Sequence, residues 1–204
     1  MKKALLIVGL VLLADQILKI WVKTNMYLGE DIHITDWFII HFTENPGMAF
    51  GFEFGGNWGK LILSLFRIVT VGFIFWWLRQ LSQKEVPFGA LVAVALILAG
   101  AIGNIIDSAF YGLLFGDSYG QVATFWPEEG GYAGFLYGKV VDMFYFPLFK
   151  GNLPDWLPIW GGDYFVFFRP VFNIADTAIS VGVGLLIIYQ KSVFKEEDKA
   201  KEAA

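Results

Sequence analysis

Cysteine is absent from this chain of 204 residues, and charged side chains are scarce. Without cysteine the protein can form no disulfide bond, no thiolate metal site and no cysteine nucleophile. Charged residues make up only 17% of the chain, and the formal net charge of −4 gives no basic surface of the kind that binds nucleic acid. Hydrophobic residues make up 56% of the chain, a balance typical of an integral membrane protein.

Histidine is also rare, with His33 and His41 as the two examples in the sequence. A serine hydrolase needs a base near its nucleophile, and the chain has no G-x-S-x-G motif. The two histidines do not have the spacing of a zinc motif, and no H-E-x-x-H occurs. We therefore expect neither a metal nor a cofactor. Carboxylates remain, and two aspartates that share one proton can activate water against an amide.

Four apolar stretches are long enough to cross a bilayer, which takes about 20 helical residues. They lie at 4–22, 61–80, 88–107 and 171–190. The first follows Lys2 and Lys3 and is not followed by an A-x-A cleavage site, so we interpret it as an uncleaved signal anchor. The sequence predicts one all-α membrane domain, residues 1–204, with four transmembrane helices.

The distribution of lysine and arginine predicts the orientation of these spans. Basic residues concentrate in the segments that share a side with the N-terminus, so both termini and the tail 191–204 are expected in the cytoplasm. The outer loops are then 24–59 and 108–170. The first is rich in β-branched and aromatic residues, which favours a small β structure. The second is rich in aromatic residues, so it should rest at the membrane interface or pack over the helix ends.

Ionisable groups within a membrane are costly, so each needs a partner or a purpose. The polar residues of the four spans all fall in the outer halves, and this common depth is the strongest signal in the sequence. They are Asp15, Lys19, Arg67, Asn104, Asp107, Asn173 and Asp176.

Each of these residues also has a structural interpretation. Asp15 and Lys19 are four residues apart on one helix face and could form an ion pair without any chemistry. The guanidinium group of Arg67 can reach the membrane interface, and the negative charge of Asp176 is stabilised by the dipole at a helix N-terminus. From periodicity alone, the candidate catalytic pair is Asp107 with Asp176.

Two other function classes also fit a membrane protein with buried carboxylates. An ion-coupled transporter would more often show repeated halves and helices broken at mid-depth, and neither feature occurs in the sequence. A non-catalytic lipid-binding protein or membrane subunit would use the aspartates for stability alone.

Five fragments occur in the order found in lipoprotein signal peptidase (signal peptidase II), a family of bacterial membrane aspartyl proteases. They are ADQILK (14–19), ENPGMAFG (44–51), GNIID (103–107), GKVVDMF (138–144) and FNIAD (172–176). The sequence resembles this family from about residue 10 to residue 190. The resemblance implies an endopeptidase that removes the signal peptide from prolipoproteins just before a diacylglyceryl-modified cysteine, without a cofactor. It also implies a monomer in the inner membrane, in contact with lipid, whose active site is at the periplasmic face.

The resemblance also assigns roles to residues. The catalytic aspartates of the family correspond to Asp142 and Asp176, and periodicity would not have selected Asp142, which the sequence places in a loop. The other matches imply substrate binding or support. They are Asn45, Gly47, Asn173, Asp15, Lys19, Asn104 and Asp107.

The sequence departs from the family pattern in two places. Ser108 follows GNIID where the family usually has arginine, and we hypothesise that Arg67 supplies part of the missing charge. The connections around Asp142 are also long, with segments 115–138 and 150–168 resembling insertions. These insertions could form a lid or a partner surface.

Overall fold

Four long apolar helices form the body of the protein. The computed structural model describes residues 1–46 and 56–202. Within them, the long helices are α1 (Lys2–Asn25), α2 (Gly56–Leu81), α3 (Phe88–Ile106) and α5 (Ile174–Glu202). α3 continues into a π-helical turn (Asp107–Tyr111) and the short helix α4 (Gly112–Leu114). All four long helices include a stretch with the length and hydropathy needed to cross a membrane.

Helix α3 lies at the centre of the bundle and packs against α1, α2 and α5. Small residues allow this close approach, which is typical of membrane helix pairs. A Cβ atom added at Gly100 would lie 2.2 Å from the Ala175 carbonyl oxygen, and one added at Gly182 would lie 2.7 Å from the Ala93 carbonyl oxygen. Substitution of either glycine would push α3 and α5 apart.

The outward faces of the helices carry large apolar side chains. Leu6, Phe66, Val69 and Ile188 are all mostly exposed in the isolated chain. A water-soluble protein rarely displays such continuous apolar surface, whereas lipid hydrocarbon covers it without cost. The exposed faces therefore fit a protein that is surrounded by lipid.

A small antiparallel sheet lies at one end of the bundle. Its strands are β1 (Asp31–Thr35), β2 (Phe38–Asn45), β3 (Val140–Tyr145) and β6 (Val171–Phe172). They are arranged in the order β1-β2-β3-β6 among the described residues. The predicted β structure of the first outer loop is thus present as β1 and β2, but strands from the second predicted loop complete the sheet.

A separate hairpin consists of β4 (Phe149–Asn152) and β5 (Tyr164–Phe167). These strands pair with each other and, in the described part of the chain, not with the four-stranded sheet. The hairpin accounts for most of the predicted insertion 150–168.

The element boundaries differ from the prediction at two points. The fourth helix begins at Ile174 rather than 171, because Val171 and Phe172 pair with Tyr145 and Phe144 of β3. The third helix does not end at 107, because the π-helical turn and α4 continue it to Leu114. The apolar pattern alone could not show that an apolar pair at the start of the fourth stretch belongs to a strand.

The segment 115–138 packs over the C-terminal end of α3 and its continuation. The Ala133 N–H donates to the Gly112 carbonyl at 2.9 Å, and the Gly138 N–H donates to the Ser108 carbonyl at 2.8 Å. Phe115 is fully buried in a cluster with Tyr111 and residues of α1 and the sheet. This insertion therefore contributes to the core, and its backbone bonds fix the point from which β3 starts.

Candidate active site

Asp142 and Asp176 lie on either side of Asn173. The Asn173 side chain donates from Nδ2 to Asp142 Oδ1 at 2.6 Å. The Asn173 backbone N–H donates to Asp176 Oδ2 at 3.3 Å. Two carboxyl groups that are 34 positions apart in sequence, counted from their residue numbers, thus meet at one residue.

Asp142 belongs to strand β3 rather than to a loop, which corrects the sequence-based expectation. Thr43 of β2 is its antiparallel partner, and two positions away Asn45 pairs with Val140. The side chain of Asn45 also hydrogen-bonds to the Asp142 carboxyl group. Strand pairing therefore holds Asn45 and Asp142 side by side. Gly47, the neighbouring residue of the same motif, lies outside the described residues.

Asp176 is held by the local structure of the helix that carries it. The Asp176 N–H donates to Asn173 Oδ1 at 2.8 Å, and its own carboxylate accepts from the Asn173 N–H. This reciprocal arrangement is a capping box, which satisfies two backbone donors at a helix start. The other carboxylate oxygen, Oδ1, accepts from Asn104 Nδ2 at 2.8 Å. The cap and Asn104 together fix the direction of the carboxylate.

The environment of Asp142 favours its protonated form. Its side chain is only 4% exposed. Burial and then the nearby charge of Asp176 raise the pKa of Asp142 to about 7, although hydrogen bonds from Asn45 and Asn173 oppose the shift. A neighbouring carboxylate in a partly dry site disfavours a second negative charge, which is why the proximity of Asp176 adds to the effect of burial on Asp142.

A buried lysine, Lys19, contacts three polar side chains next to the candidate site. Lys19 Nζ lies 2.9 Å from Asp15 Oδ2 and 2.8 Å from Asp107 Oδ2, and it donates to Asn104 Oδ1 at 2.9 Å. Its side chain is fully buried, and so is that of Asp107. The predicted Asp15–Lys19 pair is present, with Asp107 as a second anionic partner. Asp107 thus pairs with Lys19, whereas the carboxylate of Asp176 accepts from Asn104 and Asn173.

The two acids paired with Lys19 each hold the backbone next to a candidate catalytic residue. Asp15 Oδ1 accepts from the Ala175 N–H at 2.9 Å, one residue before Asp176. Asp107 Oδ2 accepts from the Val141 N–H at 3.1 Å, one residue before Asp142. The framework therefore connects α1 and α3 to both sides of the site, and it fixes the spacing of the two aspartates.

A second buried ionic group lies beside Asn45. Glu44 is ion-paired with Lys23 and accepts from Lys139 Nζ at 2.9 Å, and Lys23 Nζ also donates to Ser118 Oγ at 2.8 Å. Burial raises the pKa of Glu44, but the two lysines outweigh it and leave the pKa below its ordinary value. Sequence reasoning missed this group, because Lys23 becomes buried only when segment 115–138 covers the end of α1.

Arg67 and Asp176 line the same cavity, which has a volume of about 270 Å³. The cavity is lined by Arg67, Asn104 and Asp176, with apolar neighbours from α2 and α5. The guanidinium interacts electrostatically with Asp176. Ser108 is buried and donates from Oγ to the Asn104 carbonyl at 3.0 Å, so it brings no charge to the site. Arg67 is thus placed where it can supply positive charge from a different helix.

The sequence of this chain is similar to sequences of known proteins. The sequence profile of the family Signal peptidase (SPase) II matches residues 7–191. A lipoprotein signal peptidase of Porphyromonas gingivalis is 55% identical over 189 residues, covering 92% of this chain and 82% of that protein. A lipoprotein signal peptidase of Amoebophilus asiaticus is 38% identical over 210 residues, covering 99% of this chain and 84% of that protein.

The fold is also similar to that of a solved bacterial membrane enzyme. The two structures superpose with a TM-score of 0.56 at 25% identity, and the match covers 92% of each chain. Because the family profile includes all four helices and the site between them, the chain belongs to the signal peptidase II family of aspartic-type endopeptidases that process lipoproteins.

Proposed function

We propose that this protein removes the signal peptide from diacylglyceryl-modified prolipoproteins by cutting just before the lipidated cysteine. Membership of the family supports signal-peptide cleavage in general. The observation that carries the finer proposal is the meeting of Asp142 and Asp176 at Asn173, where the sheet covers the ends of membrane helices. Such a site can act on a peptide bond that emerges from the bilayer.

The proposed reaction uses the two aspartates as acid and base. Asp142, whose raised pKa of about 7 keeps part of the population protonated near neutral pH, donates its proton to the oxygen of the scissile carbonyl. The Asp176 carboxylate accepts a proton from a water molecule as that water attacks the carbonyl carbon. As the gem-diol collapses and its C–N bond breaks, Asp176 gives its proton to the leaving nitrogen, which becomes the new N-terminus, and Asp142 takes a proton from one hydroxyl of the gem-diol. Both side chains thereby return to their starting states. Asn45 lies beside Asp142 and is placed to bind the substrate backbone near the cut.

Access for a lipid-anchored substrate is proposed to lie between α2 and α5. The cavity beside Asp176 is lined by both helices, and a second cavity of about 190 Å³ lies farther along them. The second is lined by Trp77, Leu186, Ile187, Gln190 and Val193. An acyl chain or a signal helix could enter from the bilayer along this apolar path and place its polar end at the aspartates.

The site is proposed to face the periplasm, with the protein acting as a monomer in the inner membrane. Lysine and arginine predominate near the termini and the α2–α3 connection, which favours a cytoplasmic location for those segments. The sheet and both aspartates are at the opposite ends of the helices.

The proposal is tested by incubating purified protein with a precursor that carries diacylglyceryl-cysteine. We expect one cut immediately before the modified cysteine, identified by mass spectrometry of the released peptide. The matched control is the same precursor without the lipid, which should remain intact because its cysteine cannot be held between the helices. Equal cleavage of both precursors would contradict the substrate proposal, and uptake of ions by proteoliposomes without cleavage would favour a transporter.

The pH dependence of cleavage should report the proton held by Asp142. Its pKa of about 7 means that the acid is lost as the pH rises through neutrality. We expect kcat/KM to fall roughly tenfold per pH unit on the alkaline side, because one required proton is missing. The measurement is a rate profile from about pH 5 to about pH 9 in mixed micelles. A rate that stays constant through this range would show that Asp142 is not the acid.

Replacement of Arg67 by alanine should lower turnover on the order of tenfold, because it removes a positive charge that interacts with Asp176. Arg67→Lys keeps the charge and should retain most of the activity. Arg79→Ala, near the other end of the same helix, is the matched control and should have no effect. Unchanged turnover in Arg67→Ala would refute the idea that Arg67 compensates for Ser108.

A further inference from the structure

The β4–β5 hairpin displays apolar and aromatic side chains that no described part of the chain covers. All four residues of β4 and three of the four residues of β5 are exposed. The exposed aromatic residues of this region are Phe149, Trp156, Trp160, Tyr164, Phe165, Phe167 and Phe168. Packing within the described part of the chain therefore does not explain why this hairpin has so many aromatic side chains.

The tip of the hairpin, residues 153–163, is the most exposed apolar part. Trp156 is 79% exposed and Ile159 is 88% exposed. Ile159 also has a φ of 81°, a conformation that a β-branched residue rarely adopts. Backbone bonds hold the tip in this form, including Gly162 N–H to the Leu153 carbonyl at 3.0 Å and Leu153 N–H to the Asp163 carbonyl at 2.9 Å. The tip is thus an ordered turn that projects Ile159 outward despite the strain.

The hairpin is attached close to the membrane surface. β5 ends at Phe167, β6 begins at Val171, and α5 begins at Ile174. Strands of four residues extend about 13 Å, so the tip can reach lipid beside the helix bundle. Aromatic contacts continue from the hairpin to the sheet, with Phe168 packed on Phe172 at 6.0 Å between ring centroids. The aromatic surface of the hairpin is therefore continuous with that of the four-stranded sheet, whose strand β6 leads directly into α5.

We infer that the tip of the β4–β5 hairpin inserts into the interface of the outer leaflet and holds this end of the protein against the bilayer. Tryptophan and tyrosine are the side chains most enriched where headgroups meet acyl chains. Lys150 lies on β4, and Arg169 follows β5 and lines a cavity with Leu153, Trp160 and Asp163 of the tip. Both basic side chains can contact lipid phosphates. The partner is the phospholipid surface of the protein's own membrane, and the inference does not depend on the chemistry proposed for the aspartates.

The absence of native cysteine allows a direct test with single labelled cysteines. Two variants of the full-length protein, Ile159→Cys and Trp156→Cys, are each labelled at the new cysteine with the environment-sensitive fluorophore NBD. The labelled proteins are then placed in phospholipid nanodiscs. Glu129→Cys, an exposed position in segment 115–138, is the matched control. We expect blue-shifted emission at the two tip positions, with quenching by lipids that carry a shallow spin label and protection from aqueous iodide. The control should be quenched by iodide and not by the labelled lipid.

Two results would overturn the inference. Quenching by iodide at the tip equal to that at the control position would place the tip in water. Protection from both iodide and spin-labelled lipid would mean that the tip is buried against protein. Because both tip side chains are exposed, their replacement removes little internal packing, and thermal unfolding in the same nanodiscs should match that of the unmodified chain.

Discussion

Replacement of Asp142 or of Asp176 by asparagine is expected to abolish measurable cleavage of a lipidated precursor. Asparagine has almost the same shape as aspartate but can neither donate nor accept the proton that the reaction moves. Loss of a positioned acid or base costs on the order of 10²–10⁴-fold in rate, and here one residue serves each role. The rate is measured with purified protein and a diacylglyceryl-modified precursor. Asp36→Asn, an exposed aspartate in the turn between β1 and β2, is the matched control and should cleave normally.

Stability measurements separate this catalytic role from a structural one. Because burial raises the pKa of Asp142, the folded state favours its neutral form, and the contribution of that form to stability is lost as pH rises through about 7. The asparagine variant stays neutral, so near pH 8 it should unfold at a temperature no lower than that of the wild type. Normal processing by either variant would refute the dyad. Inactivity accompanied by unfolding near neutral pH would instead favour a structural role.

Replacement of Lys19 by methionine is expected to destabilise the protein by about 3–5 kcal/mol, because breaking a buried ion pair leaves an uncompensated charge. Here two carboxylates, Asp15 and Asp107, would lose their common partner. The same carboxylates hold the backbone beside Asp142 and Asp176, so activity should fall as well. Stability is measured by thermal unfolding in detergent, and Lys2→Met at the exposed end of α1 is the control.

A second substitution makes the Lys19 prediction more specific. Addition of Asp107→Asn to the Lys19→Met variant removes one of the unpaired charges, so part of the lost stability should return. In the wild-type background, Asp107→Asn should destabilise, because Lys19 then has fewer acceptors. If Lys19→Met unfolds at the same temperature as the wild type, the ionic framework is not what holds the helices together.

The amino-acid sequence predicts the helices of this fold better than its sheet. An apolar stretch of about 20 residues has few alternatives to a membrane helix, so the four spans follow from composition. The sequence predicts that Val171 and Phe172 belong to the fourth span, but in the structure they pair with β3 and form a strand. Strand pairing between Asn45 and Val140 joins positions far apart in the chain, and no local pattern fixes such a register.

The candidate site, like the fold, can be predicted from the sequence only where its residues lie on helices. Asp15, Lys19, Asn104 and Asp176 lie on helices, and their common depth is readable from helical spacing. Asp142 lies on a short strand whose place depends on the Asp107 bond to Val141 and on the packing of segment 115–138. Periodicity therefore finds the helical part of the site, and only the motif resemblance identifies Asp142 as the partner of Asp176.

The position of Asn173 has a consequence for how the protein matures. This one residue starts the last membrane helix, orients Asp176 and contacts Asp142. During synthesis the first three spans, the ionic framework and β3 all precede it. Under the proposed mechanism, a nascent chain is therefore inert until this helix has inserted and its first turn has closed, so hydrolytic activity arises only at the end of assembly.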